Sequence, residues 1–284
     1  MKTFLECVPC FIKQSLQAGK IASDDPALHK KILDAAAAEI PGIKIDECPP
    51  KMGRKIHELV KTMTNNPDPY KKLKEKYNKE ALSLYPYIKE RVKNSKDPLL
   101  TSIRAAIAGN VIDFGAQLEF DLVRDLDEIL HSEFAVFDYE KFKTQAAKHK
   151  KVLYLGDNAG ETVFDKVLME QLILEFNSEI TYAVKEKPII NDATKEDALF
   201  AGIDKCAKII SSGSDAPGTI PEYCSEEFLK LFRSAPFIIS KGQGNFEALS
   251  ETDMPIFFLL KIKCSVLAGY TGLPLGSIML KSLR

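Results

Sequence analysis

Two short polar segments place oxygen donors in a pattern that suits a hard cation: Gly156-Asp157-Asn158-Ala159-Gly160-Glu161 and Asn191-Asp192-Ala193-Thr194. In the first, a carboxylate and a carboxamide are neighbours, and oxygen ligands of that kind suit Mg²⁺ or Mn²⁺. Gly156 and Gly160 allow the backbone to turn sharply and approach a ligand. A plain turn in which Asp157 or Asn158 caps the next helix would use the same residues, so both readings stand. Asp192 has the same two readings. Thr194 with Asp197 reads as a capping box at the start of a helix.

A third segment, Ser240-Lys241-Gly242-Gln243-Gly244-Asn245-Phe246-Glu247, has the makings of an anion cradle. Backbone N–H groups around Gly242, Gly244 and Asn245 at a helix start favour a phosphate, and Lys241 adds a point charge. It is a broken dinucleotide fingerprint, with Glu247 where a third glycine would stand. It is not a Walker loop, because the lysine precedes the glycines. A fourth polar loop, Ser211 to Thr219, either lines the same crevice or is ordinary surface.

The elements around these segments explain why they can meet. Each of the three follows an apolar run of strand length: KVLYL (Lys151–Leu155), EITYAVK (Glu179–Lys185) and PFIIS (Pro236–Ser240). Further strands are expected at Lys208–Ser211 and Pro255–Leu260, with helices between, as at Glu161–Phe176 and Glu222–Arg233. Strand and helix in alternation predict an α/β fold, three-layer α/β/α with a mostly parallel sheet, over residues 146–284. Ligands of such sheets bind beyond the carboxyl ends of the strands, where all three segments lie.

Residues 1–145 read instead as an all-helical domain, expected to roof the site. Apolar residues recur with helical period over Pro26–Ile40, Arg54–Met63, Tyr70–Leu84 and Leu99–Leu118, and Asp121–Leu130 follows. Arg104 and Asn110 lie on the fourth of these. They are candidates to grip substrate if that helix faces the crevice; otherwise Asn110 and Asp113 make structural hydrogen bonds.

With 284 residues, 45% of them hydrophobic, the chain can bury a sizeable core without staples. A net charge of −1 argues against a nucleic-acid partner. The lysines from Lys71 to Lys79 are interleaved with Glu75 and read as a solvated face. No run is long enough to span a membrane, and the first twenty residues lack the pattern of an export signal, so a cytoplasmic protein is expected. Of six cysteines only Cys7 and Cys10 are closely spaced. They suit half a zinc site with Cys48 as a further ligand, a redox pair near a helix start, or two packed thiols. The four histidines show no ligand spacing.

GDNAGE, NDAT and KGQGNFE, in this order and spacing, resemble the signature of the damage-control phosphatases. Cys7-Val8-Pro9-Cys10 resembles the CxxC of that family's largely archaeal subfamily, and the resemblance spans essentially the whole chain. It implies a metal-dependent phosphoric monoester hydrolase supported by Mn²⁺, Ni²⁺, Co²⁺ or Mg²⁺. Its substrates would be small phosphorylated metabolites: sugar phosphates, phosphopantetheine derivatives or damaged nucleotides. By motif match the metal falls to Asp157, Asn158 and Asp192, and the substrate phosphate to Lys241. The chemistry expected is activation of a water by the cation, with Lys241 and the loop amides stabilising the equatorial oxygens. Two other classes use similar segments. A sulfonium-nucleotide-dependent methyltransferase would need no hard cation, and a non-catalytic phosphometabolite-binding module would bind without turnover.

Overall fold

The computed structural model describes residues 1–110 and 119–284, without the side chains of residues 119–122, 124 and 125. Helices α1 (Cys7–Ala22), α2 (Pro26–Ala38), α3 (Pro49–Thr64), α4 (Lys71–Lys93), α5 (Pro98–Gly109) and α6 (Glu119–His131) come first. Local chemistry starts two of them. Asp25 and Asp97 accept hydrogen bonds from the N–H groups of Ala27 and Leu100, and Pro26 and Pro98 occupy the first helical position. The helix expected to end at Leu84 runs through Pro86 to Lys93. The one expected over Leu99–Leu118 is described as far as Gly109; Val111, Asp113 and Phe114 lie outside the described residues.

The remaining elements are β1 (Phe134–Phe137), α7 (Tyr139–Lys148), β2 (Lys151–Leu155), α8 (Glu161–Phe176), β3 (Glu179–Val184), α9 (Lys195–Phe200), β4 (Lys208–Ser211), α10 (Glu226–Ser234), β5 (Ile238–Lys241), α11 (Gly242–Leu249), β6 (Ile256–Lys261), α12 (Ser265–Thr271) and β7 (Ile278–Ser282). The strands form one sheet in the order β1-β7-β6-β5-β2-β3-β4. Neighbours pair in parallel except β6 and β7. The fold is thus α/β with a mostly parallel sheet.

The boundary expected at residue 145 needs correction. Strand β1 lies before it and pairs with β7, so the sheet draws on residues from Phe134 onward and residues 1–145 are not all helical. The short edge strand β1 and its neighbour β7 are elements that sequence pattern alone did not reveal. β1 spans four residues whose side chains are alternately half-buried and exposed, too little for a periodicity signal.

Side chains of each strand alternate between two apolar layers, as a pleated sheet requires. Val152 and Tyr154 face a core shared with α4, α5 and α8, whereas Leu153 and Leu155 face one shared with α10, α11 and α12. Helix α5 packs tightly on α8: a Cβ added at Gly109 would meet the Phe164 ring and Cβ at 2.9 Å. No helix among the described residues is long and apolar enough to cross a membrane.

The chain leaves β2 towards β3 and β4 on one side, then returns to β5 on the other side of β2. The connections after β2 and β5 therefore part in opposite directions and open a crevice between them. That is the point at which GDNAGE and KGQGNFE begin. The close α5–α8 contact yields a test: Gly109→Val should lower unfolding stability by about 1–3 kcal/mol, the scale of overpacking in a well-packed core, measured by urea denaturation.

Candidate active site

Asn158 and Asp192 face each other across an isolated antiparallel bridge. Ala159 N–H donates to the Asn191 carbonyl at 2.8 Å and Ala193 N–H to the Asp157 carbonyl at 2.7 Å. These bonds lace the loop after β2 to the loop after β3 and bring Asp157, Asn158 and Asp192 to one place. The junction holds Ile190 at φ 47°, a left-handed conformation costly for a β-branched residue and sustained by the bonds around it. Asp192 does not cap α9. Thr194 and Asp197 perform that task as a capping box, so the Asp192 carboxylate is not spent on the helix start and pairs with Lys185 instead.

The carboxylates of this cluster are buried. Asp157 Oδ2 accepts from Asn110 Nδ2 at 2.8 Å and Asn158 Nδ2 at 2.9 Å. Glu161 Oε1 accepts from Asn158 Nδ2 at 2.5 Å and also from Asn110 Nδ2. Asp192 Oδ2 has no hydrogen-bond partner, and Lys185 Nζ stands 3.5 Å away. Burial, then the charges of Glu161 and Asp192, push the Asp157 carboxyl well above the usual carboxylate range. Burial pushes Asp192 up to about 6, against the pull of Lys185.

Crowded, desolvated carboxylates, one of whose oxygens has a distant lysine and no hydrogen bond, form an environment that a cation would relieve, and the donors are oxygens, so the set fits a hard divalent ion. Only two of the three candidate ligands are ionisable. Among the described residues no group of three or more His, Cys, Asp or Glu side chains is arranged to hold a metal. A site with so few protein ligands suits an ion such as Mg²⁺, which keeps several coordination positions for water and substrate.

Lys241 occupies a different place from the one expected. It is fully buried beneath the cluster and does not face the crevice. Its ammonium donates to the Ala106 carbonyl at 2.6 Å, Asp165 Oδ1 at 2.7 Å and Glu161 Oε2 at 3.2 Å. Those three acceptors use its three protons, so none is left for a phosphate. Tyr154 and Tyr182 complete the shell by donating to Asp165 at 2.7 and 2.8 Å. Burial pulls the Lys241 pKa down, but Asp165 and Glu161 together hold it above its usual value.

Two further expectations are corrected. Arg104 turns away from the crevice, donating to the Leu130 carbonyl at 2.7 Å with its guanidinium over the Phe134 ring. Asn245 is fully buried, and its amide ties the loops together through the carbonyls of Gly156 at 3.2 Å and Lys241 at 2.8 Å. Asn110 does reach the cluster, but it holds Asp157 and Glu161. Gly242 has φ 80°, and any Cβ there would collide with the Asp157 carboxylate. Its role is to let that carboxylate lie against the backbone.

A crevice of about 490 Å³ opens above the cluster. Asp157, Asn158 and Asp192 form its floor with Gln243 and Gly244; Pro217 and Gly218 bring in the fourth loop. Cys7, Cys10 and Phe11 of α1 and Pro49, Pro50 and Gly53 of α3 line it from the helical part. Lys263 also lines it and is exposed. This lysine went unnoticed in the sequence, although it follows strand β6 and obeys the same strand-end rule that singled out the other segments. Glu161 and Lys185 were likewise quoted without a role. A larger recess of about 820 Å³ lies at the opposite ends of the strands, around Lys151, Glu179 and Lys208, and holds none of the candidate residues.

Known proteins resemble this chain over nearly all of its length. The model of the damage-control phosphatase ARMT1-like domain matches residues 3–279. An uncharacterized protein of Methanocaldococcus jannaschii is 41% identical, covering 97% of this chain and 94% of its own length. A damage-control phosphatase of Pyrococcus horikoshii is 34% identical, with 98% and 97% covered. The crystal structure of a Pyrococcus horikoshii DUF89 family protein superposes with a TM-score of 0.94 over 100% of both chains, at 33% identity.

Two tests follow from the geometry. Lys241→Ala leaves Glu161 and Asp165 buried without their cation and should cost about 3–5 kcal/mol of unfolding stability, read by urea denaturation. Glu247, on the crevice wall, has its carboxyl pushed up to about 7 by burial, against a hydrogen bond from Gln243 and the Met1 amino group. Its raised folded value means a stabilising contribution that is complete below the ordinary glutamate value of 4.5 and lost as pH rises through about 7. Glu247→Gln should flatten the fall in urea midpoint across that window.

Proposed function

The chain belongs to the damage-control phosphatase ARMT1-like domain family, and we propose that it is a divalent-cation-dependent phosphatase acting on phosphate esters of small metabolites in this crevice. The observation that carries the proposal is the buried Asp192 carboxylate, met at Oδ2 by Lys185 alone at 3.5 Å and without a hydrogen bond among the described residues, laced beside Asp157 and Asn158. Asp157, Asn158 and Asp192 would hold the cation. When bound, a hard divalent cation supplies Lewis-acid polarisation of phosphoryl oxygens and makes a water more acidic.

The chain's own residues do the rest. Lys263 offers the crevice a mobile ammonium, the counter-charge for the phosphate that Lys241 cannot give. Asn110 and Glu161 hold Asp157 and Asn158 in one orientation. Phe11, Pro49, Pro50, Pro217 and Val266 present apolar surface that excludes water and fits the carbon skeleton of an ester. The volume lies within the range of about 300–1,000 Å³ typical of small-molecule sites.

A panel of small phosphate monoesters assayed with Mn²⁺, Ni²⁺, Co²⁺ and Mg²⁺ tests the proposal, alongside calorimetric titration of the metal alone. Asp192→Ala should abolish both metal binding and turnover. Lys263→Ala should keep metal affinity and lower kcat/KM by on the order of 10²–10³, the scale of losing one transition-state donor. Undiminished phosphate release in the presence of a strong chelator would sink the cation-dependent reading.

A further inference from the structure

Hydrolysis at the floor of the crevice leaves the two thiols at its mouth without a role. Cys7 is the first residue of α1 and Cys10 the fourth, and both line the crevice that holds Asp157, Asn158 and Asp192. Their exposures differ: Cys7 is buried, whereas Cys10 is open to solvent. Cys48, the further thiol that a zinc site would need, lines a separate recess with Thr3, Glu39 and Tyr223. We propose that Cys7 and Cys10 are a redox-active dithiol, oxidised reversibly by a small-molecule disulfide to a Cys7–Cys10 disulfide that changes access to the crevice.

Backbone geometry permits the bond. Residues three apart on a helix have Cβ atoms about 5–6 Å apart. A disulfide needs about 3.5–4.5 Å. The first turn is where that adjustment costs least, because its N–H groups have no intrahelical partner to lose. Pro9, between the two cysteines, has no N–H at all. The rest of the α1 turn is held by other contacts: Cys7 N–H donates to the Phe4 carbonyl at 3.0 Å, and Phe11 packs with Met52 and Ile56 of α3.

The two thiols divide the chemistry by exposure. Cys10, accessible to solvent, is the entering thiol, reacting through its thiolate as in any thiol–disulfide exchange. It attacks one sulfur of the small disulfide, forms a mixed disulfide and expels one small thiolate. The Cys7 thiol then gives up its proton and attacks the Cys10 sulfur, expelling the second small thiol. Cys7 and Cys10 are oxidised by two electrons together, and the small disulfide is reduced to two thiols. Burial pushes the Cys7 thiol up, with smaller contributions from Glu247, Cys264 and Cys10, which suits a resolving thiol and not an entering one. Cys264 also lines the crevice, but its sulfur accepts from two donors, Leu267 N–H and Gln243 Nε2 at 3.3 Å each, whereas Cys10 Sγ accepts from one exposed side chain, Gln14 Nε2 at 3.3 Å.

The effect on access rests on the phosphatase reading; formation of the disulfide does not. The full chain, reduced and then incubated with glutathione disulfide, is read by intact mass and by mapping of linked peptides. Wild type and Cys264→Ser should each lose two hydrogens, with the link between Cys7 and Cys10. Cys7→Ser should instead retain one glutathione on Cys10, and Cys10→Ser should do neither. A dithiol reductant should reverse every change. A link to Cys264, a lasting glutathione adduct on wild type, or no change in mass overturns the dithiol. In the oxidised form the KM for a phosphate ester should shift severalfold with metal affinity unaltered; an unchanged KM overturns the link to access. Absence of phosphatase activity in both redox forms would count against the proposed function and leave the disulfide standing.

Discussion

The fully buried ammonium of Lys241 is the interaction on which the site depends. It lies between Asp165 and Glu161, capped by the Ala106 carbonyl, and joins three elements at one point. A buried cation of this kind is tolerable only when its protons are all placed and its charge is met. Here both conditions hold, and two tyrosines saturate the far side of Asp165. One Glu161 oxygen goes to Lys241 and the other to the amides of Asn158 and Asn110. Through that carboxylate the orientation of the candidate cation ligands is tied to the central strand β5.

Above this base the site is organised by backbone, not by side-chain packing. The bridge between Asn158 and Asp192 makes two strand-end loops a single platform. Three close approaches let other loops reach it. Gly242 gives room to the Asp157 carboxylate, Gly218 to the backbone of Gly244, and Gly156 to the Tyr182 hydroxyl. A second strut comes from the helical part. Asn78 of α4 accepts from Gly160 N–H at 2.7 Å and donates to Asp197 at 2.8 Å, so one side chain ties the loop after β2 to the first turn of α9, which follows the other loop. Lys74 adds its charge to Asp197 at 3.5 Å and to Asp68 at 3.1 Å.

The result is a rigid floor under a crevice whose walls come from elsewhere in the chain. α1 and α3 reach over the carboxyl ends of the strands, and an ion pair between Arg54 and Asp215 at 2.6 Å ties α3 to the fourth loop. Functions are thereby separated in space. The carboxyls Asp157 and Asp192 are gathered at the floor, where burial disfavours their charged forms, while the exposed ammonium of Lys263 stands on the wall.

Much of this was legible in the chain itself. Apolar runs separated by helical periods mark the α/β class and five of the strands, because buried parallel strands carry their signal locally. The polar segments GDNAGE, NDAT and KGQGNFE mark the strand ends, and their order and spacing mark the family. The direction of a long side chain is not local information. Lys241 reads as a phosphate ligand because it stands beside two glycines, yet Asp165 and Glu161, some eighty residues earlier, turn it inward. Arg104 is turned from the crevice by Leu130, 26 residues later, and Asn245 is held inside by Gly156, 89 residues earlier. Lys263 is left facing it because no acidic side chain among the described residues lies within ion-pair range. Short edge strands such as β1 depend on a partner, β7, that lies some 140 residues later. Residue types and strand-end placement come from the sequence. Which charges are neutralised inside, and which remain to meet a ligand, is decided by tertiary contacts, since a buried ion must find its counter-ion wherever the fold brings one.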